Sequence, residues 1–228
     1  MARGIQLQVM VRKLRAEIGQ SVNTALGETE IDELQQLIRR HQELLYDAHD
    51  WEHLKVRNAD KDMSAGQRYY DFPADFNLER IVNASVYWGG QWTPVDYGID
   101  PTCDYNAHDS DNDARLDPVL KWSIYSPTQF EAWPLPATAT TLRFSGVRKL
   151  TALTSDDDVS DLDDIMIVLF AAAEKRAGKP DGKIKATLAQ NRFNLLTGRM
   201  EKRAPFRFGE SSGEDRPRQG TVVRIAGA

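Results

Sequence analysis

The chain has 228 residues, 41% apolar and 28% charged, with 15 Gly and 10 Pro, a globular composition with room for one or two domains that excludes disorder throughout. A domain of this size hides about 70 to 75% of its unfolded surface without a disulfide scaffold, and the lone Cys103 fits a reducing cytosol and excludes Cys-rich metal patterns. The 29 basic and 34 acidic residues leave a net charge of −5, which argues against global affinity for nucleic acid. No stretch approaches the roughly 18 apolar residues of a membrane span, the longest being Ile165 to Ala173, and no signal-peptide pattern is seen, so a soluble protein made inside a cell is expected.

Leu7, Val11, Leu14, Ile18 and Val22 recur at spacings of three and four and draw one stripe on a helix that Gly27 is expected to end. A capping-box pattern, Thr29 with Asp32, opens a second helix, whose stripe of Ile31, Leu34, Ile38, His41, Leu45 and Ala48 predicts antiparallel packing on the first.

From Leu54 to about Leu150 the period becomes two and β-formers and turn residues dominate. Strands are predicted at Leu54–Arg57, Arg68–Phe72, Arg80–Trp88, Gln91–Val95, Lys121–Tyr125, Gln129–Trp133 and Leu142–Ser145, with Gly89 and Gly90 closing a tight hairpin. Between two of these strands, residues 96–117 hold seven Asp against Arg115 alone and read as a solvated acidic excursion.

Helical signals return at Ser160, whose hydroxyl is expected to cap a helix with Asp161, Asp163 and Asp164 in its first turn. Ile165 to Ala173 are nine apolar residues without a break, so this helix has no polar face and must be covered on nearly all sides, by the chain itself or by another subunit. Ile165, Met166, Leu169 and Phe170 are the expected subunit-packing residues. Gly178 and Pro180 stop this helix, and Lys183 to Thr197 predicts another, with Ile184, Leu188 and Leu195 inward and Gly198 as its C-terminal cap. Beyond it, Arg199 to Ala228 carries seven basic and four acidic residues, many Gly and Pro and no helical stripe, and reads as an extended arm. Its two apolar patches are Phe206-Arg207-Phe208 and Thr221 to Ile225, the second able to add as a strand to a partner's sheet edge.

The expected fold is therefore α+β: an antiparallel helical bundle of two N-terminal helices (1–53) and two C-terminal helices (151–198), with an inserted, mainly antiparallel β-domain (54–150, acidic loop 96–117) and an extended C-terminal arm (199–228).

Chemistry finds little footing. His49-Asp50-Trp51-Glu52-His53 matches the H-x-x-E-H zinc pattern, but the chain turns at once into a strand where a third ligand should follow on a helix. Helix-terminal imidazoles, with Trp51 packed under the β-region, are the better reading. Asp109 to Asp113 resembles the start of a calcium loop, yet Ala114 stands where the turn wants Gly and Leu120 where the bidentate Glu belongs. Cys103 lies among carboxylates that would raise a thiol pKa, and no glycine-rich phosphate loop occurs. No catalysis, metal or cofactor is expected. Tyr87, Trp88, Trp92, Tyr97, Trp122 and Trp133 are expected mostly in the core. Their alternative role is an aromatic platform that would make the β-domain a binding module for a glycan or single-stranded nucleic acid.

The order of features resembles the head-to-tail adaptor proteins of tailed bacteriophages, the group that includes tail tubular protein A and related portal-binding connectors. The landmarks are Leu44 to Trp51 at the end of the second helix, Gly66-Gln67-Arg68-Tyr69-Tyr70-Asp71-Phe72-Pro73-Ala74-Asp75-Phe76, Gln91 to Tyr97, Tyr125-Ser126-Pro127, Phe130 to Pro136, and the Asp-rich approach to the helix at Asp161 to Ala177. Phe72 replaces the family's more frequent Leu. The resemblance covers about Ile31 to Thr197 and implies a structural virion protein, assembled in the host cytoplasm. It implies a homo-oligomeric ring of twelve copies between the portal protein and a tail or nozzle protein. Genomic DNA would pass through the lumen at ejection without specific binding, and no membrane is involved. Under that reading the acidity keeps DNA sliding, and Arg203, Phe206, Arg207, Phe208, Val222, Val223 and Ile225 of the arm are expected to grip the portal.

Overall fold

The computed structural model of the chain describes residues 4–21 and 28–201. In order these form α1 (Leu7–Glu17), α2 (Glu28–Asp47), β1 (Lys55–Met63), β2 (Tyr69–Asp71), β3 (Phe76–Trp88), β4 (Gln91–Tyr97), the short α3 (Asp104–Ala107), β5 (Lys121–Ile124), β6 (Gln129–Trp133), β7 (Thr140–Arg148), α4 (Asp164–Lys175) and α5 (Pro180–Glu201). The fold is α+β. Val22, Gly27 and the C-terminal segment from residue 202 lie outside the described residues, as does the side chain of Thr29.

Helix α1 ends sooner than its stripe suggests. Ile18 is its C-terminal boundary and Gly19 follows at φ +74°, a left-handed residue that only Gly adopts without strain. The Gly19 and Gln20 N–H groups donate to Ala16 and Arg15 carbonyls, a closing pattern that uses up orphan carbonyls of the last turn.

Helix α4 packs against α1, α2 and α5. Its Met166, Ile167, Val168, Ala171 and Ala172 are buried in one apolar cluster with Leu7, Met10 and Leu14 of α1 and Leu34, Ile38 and Leu45 of α2. Each Leu, Ile, Val or Met side chain so taken from water contributes about 1.5 to 3 kcal/mol. Polar contacts trim the edges: Lys175 of α4 reaches Glu33 of α2 at 2.6 Å, and Glu174 takes both Arg40 and His41.

The seven strands form one mixed sheet in the order β1-β7-β3-β4-β5-β6-β2, with β4 and β5 parallel and every other pair antiparallel. The sheet curls on itself. Phe130 of β6 and Phe144 of β7 are far apart in strand order, yet their rings lie 5.1 Å apart, and Phe72, Phe76 and Trp122 close around the same Phe144. Three residues further along β7, Val147 joins the helical cluster, so β7 serves both cores. All seven predicted strands are present, but β1 runs nine residues where four were expected. Its Asn58 to Asp62 stretch reads as polar because its outer face carries Asp60, held by both nitrogens of the Arg143 fork at 2.6 and 2.7 Å, and Asp62, bonded to Thr141 at 2.9 Å. A register shift between Val56 and Ala59 also breaks the alternation. Gly89 and Gly90 both have positive φ and close the β3–β4 hairpin as a two-residue turn.

At Gly146 of β7 an added Cβ would lie 2.5 Å from the Arg80 carbonyl oxygen and 2.8 Å from the Phe76 ring. Gly146→Ala is therefore expected to destabilise the fold by about 1 to 3 kcal/mol. At Gly198 nothing lies within 4 Å and α5 continues through it to Glu201, so it is not the helix cap expected of it. Gly198→Ala should stabilise by about 0.5 to 1 kcal/mol. Urea unfolding of the two variants, with midpoints moving in opposite directions, checks both.

Candidate interaction surfaces

The Asp-rich segment before α4 sets how the helices face. Asp163, not Ser160, is the cap: its Oδ1 accepts from the Met166 N–H at 3.0 Å, while Ser160 bonds locally to Leu162. The buried Asp163 carboxylate also receives the Arg192 guanidinium of α5, Nη2 to Oδ2 at 2.7 Å. Asp164, wholly buried, pairs with Lys13 of α1. Asp161 takes Arg148 of β7 and the Thr151 N–H. Three neighbouring carboxylates thus reach three different elements.

The Arg192 pair fixes the rotation of α5. Gly182, Ala189 and Leu196 are its buried residues, and they fall on one face by the helical period. Phe193 on the same face meets the edges of His49 and Trp51. At Gly182 any Cβ would lie 2.2 Å from the Arg176 carbonyl oxygen, so small residues let α5 approach closely. Ile184, Leu188 and Leu195 consequently point outward, 63%, 50% and 44% exposed, which reverses the inward placement expected of them. Among the described residues, the most apolar stripe of α5 is left about half exposed.

On α4, Ile165 is 43% exposed, while Leu169 and Phe170 are half-buried, Phe170 packing against the helical cluster. Met166 is fully buried in its own chain, so it backs that surface from inside rather than offering itself to a neighbour. Arg203, Phe206, Arg207, Phe208, Val222, Val223 and Ile225, the residues expected to grip the portal, lie outside the described residues.

The six aromatics of the β-region separate. Trp122 and Trp133 are buried, whereas Tyr87, Trp88, Trp92 and Tyr97 are exposed, contrary to the expectation that most are core. Tyr87 and Trp92 pair across the β3–β4 hairpin, rings 5.2 Å apart, and the Arg143 guanidinium lies 3.9 Å over the Trp92 ring, a cation–π contact. An exposed aromatic cluster therefore tops this hairpin.

The acidic stretch 96–117 is largely exposed, as a solvated excursion should be, but it is tied down at several points. Besides Arg115, which pairs with Asp113 within the segment at 2.7 Å, two counter-charges come from outside it: Lys121 of β5 holds the buried Asp104 at 2.7 and 2.9 Å, and Arg68 bridges Asp111 at 2.5 Å and Glu131 of β6 at 2.8 Å. Trp133 donates its Nε1 proton to the His108 carbonyl at 2.9 Å. The Lys121 ammonium keeps the Asp104 carboxyl below its ordinary value against the opposing effect of burial, and burial with the Glu131 contact pushes the Tyr105 phenol up to about 12. Asp100 raises the Cys103 thiol, away from nucleophilic use. Trp51 lies inside the helical cluster rather than packed under the β-region alone, with His49 against its ring at 5.2 Å, while His53 Nε2 lies 2.9 Å from the Asp161 carbonyl. Among the described residues no group of three or more His, Cys, Asp or Glu could hold a metal, and no helix is long and apolar enough to cross a membrane.

The family model described as SU10 adaptor protein matches residues 9–221, spanning both the helical layer and the sheet. The chain belongs to this phage head-to-tail adaptor family. No curated protein matches it.

The carboxylates around α4 make a pH prediction. Burial acts to raise the Asp161 carboxyl, but Arg148 and Thr151 outweigh it and hold it below its ordinary value. Asp158 accepts from the Ser155 and Thr154 N–H groups and the Thr154 hydroxyl, which bring it to about 2. Both bind protons more weakly folded than unfolded, so the stability they supply is complete above about pH 4, the unfolded value, and is lost as pH falls toward about 2. Urea midpoints measured from pH 5 down to 2 should fall steeply, and Asp158→Asn should make that fall shallower.

Proposed function

We propose that this adaptor closes into a ring, of twelve copies, between the portal and the tail or nozzle protein, and that the genome passes through its lumen without specific binding. The observation that carries the reading is the family match over residues 9–221. Family membership makes the chain a structural component of the bacteriophage particle, associated with portal and tail proteins, in a family that is not one of enzymes.

Several features support the finer proposal. Ile165 on α4, with Leu169 half-buried beside it, leaves apolar area that a neighbouring subunit would cover. A net charge of −5 per chain, multiplied round a ring, repels phosphate and avoids the salt-dependent drag that Lys and Arg contacts would impose on moving DNA. Arg203, Phe206, Arg207 and Phe208, with Val222, Val223 and Ile225 further on, supply the aromatic, Arg and β-branched residues that dominate protein interfaces, and the arm they form docks on the portal. The division into helical segments 1–53 and 151–198, a β-domain 54–150 and an arm 199–228 assigns ring body, projection and clamp to separate pieces.

A second reading rests on the exposed Tyr87, Trp88 and Trp92, which would stack against a sugar or an unpaired base. Trp fluorescence titrated with oligosaccharides and oligonucleotides tests it; saturable quenching by the isolated monomer would favour this module over the connector.

Deleting Gly209 to Ala228 should leave thermal unfolding unchanged and abolish co-sedimentation with portal. Native mass measurement of the whole chain with portal should give a species of twelve adaptor copies. Normal attachment of the truncated chain would remove the arm from the proposal.

A further inference from the structure

We infer that in the free protein the Thr221–Ile225 segment of the arm docks as an added strand in a cleft of its own sheet, between β3 and β5. The inference concerns the chain before it meets the portal, where the same arm docks in the reading above, and it does not depend on the ring.

The cleft opens where β4 changes partner. β4 pairs with β3 only as far as Ala84 and Val95, and its next residues, Asp96 and Tyr97, pair with Lys121 and Trp122 of β5 instead. On β3, Leu78–Asn83 run on beside β7 on one side and have no strand opposite them on the other among the described residues. On β5, Ser123 and Ile124 likewise extend past the last β4 pair. Backbone N–H and C=O groups need partners, and an open edge of this kind accepts a further strand. The cleft between the two edges has a volume of about 450 Å³, with Ile81, Val82, Pro94, Tyr97, Trp122 and Ile124 in its walls. Val82 is 72% and Tyr97 65% exposed, while Trp122 is buried in the core of the sheet, so the opening runs from solvent to that core. Asp96 lies exposed on its rim, and the Lys121 paired beside it is already held by Asp104.

The occupant follows from the chain beyond α5. Within 202–228, every β-branched residue falls in Thr221-Val222-Val223-Arg224-Ile225, a composition that favours a strand. Its five residues match the six of the Leu78–Asn83 edge, and Arg224 offers Asp96 a cation. The arm also starts on the right side. Phe193, about two turns before the end of α5, meets His49 and Trp51, which lead into β1. The nineteen residues 202–220 span at most about 63 to 68 Å, against a radius of gyration of about 17 Å for a compact chain of this length. The segment therefore reaches its own cleft, and the tether holds it there at an effective concentration of about millimolar, far above that of another copy's segment in dilute solution.

The test uses the full chain carrying Cys103→Ser, with Val82→Cys on the exposed cleft wall and Val223→Cys in the arm, oxidised with diamide. The same chain with Ile184→Cys in place of Val82→Cys is the control. A disulfide within one chain is expected, unchanged on dilution and about tenfold more abundant than in the control. Val223→Pro, in a chain with no added thiols, removes a strand donor and should speed hydrogen exchange across Leu78–Asn83 about tenfold while circular dichroism stays native. A disulfide no more abundant than in the control, one that forms only between chains, or exchange unaltered by Val223→Pro overturns the docking. If the chain lacking Gly209 to Ala228 loses portal while no disulfide forms, the cleft is wrong and the arm still serves the portal. If the disulfide forms while that truncated chain binds portal normally, the cleft stands and the arm leaves the portal reading.

Discussion

The arrangement of the helical layer depends on three carboxylates at the head of α4. Asp161, Asp163 and Asp164 each take a cation from a different element, Arg148 of β7, Arg192 of α5 and Lys13 of α1. Asp163 and Asp164 are buried, and a buried charge robbed of its partner typically costs about 3 to 5 kcal/mol. Alternative packings that separate any of these pairs are therefore strongly disfavoured. An apolar helix such as α4 has little rotational preference of its own, because hydrophobic burial is non-directional; the ion pairs at its end supply the direction.

This explains where periodicity misleads. On α5 the strongest apolar stripe is Ile184, Leu188 and Leu195, and hydrophobicity alone turns it inward. The inner face is instead made by Gly182, Ala189, Phe193 and Leu196, because Arg192 must reach Asp163 and because small residues permit close approach to the end of α4. The signal that marks the inner face is a run of small residues in register with an arginine. It becomes readable only once the Asp163 partner is known. Met166 shows the same thing on α4: a helix apolar all round gives no hint which residues its own chain covers.

The sheet was more legible, since a period of two survives without knowledge of neighbours. The β3–β4 turn with its paired glycines, β5 and β6 are read to within one residue, while β3 begins four residues and β7 two residues ahead of the expected start and β1 is cut short because Asp60 and Asp62 look like loop residues until Arg143 and Thr141 stand opposite them. The acidic segment 96–117 is exposed as its composition suggests, but its anchors are not readable from local charge: counting along the segment finds only Arg115, whereas Arg68 and Lys121, which hold Asp111 and Asp104, lie outside it.

A connector must stay dispersed before it meets its site and hold firmly afterwards, and the outer face of α5 suits both demands. Its three aliphatic side chains are each about half exposed, so covering them contributes about 1 kcal/mol apiece. Polar Thr187 and Asn191, both exposed, sit between them. One such contact sums to a few kcal/mol, in the range of millimolar affinity even before the cost of association is met. Two free copies would rarely stay together. Under the proposed docking of the arm on the portal, a contact through this face would become intramolecular and be favoured by a high effective concentration, so that assembly would wait on the portal rather than close into empty rings ahead of it.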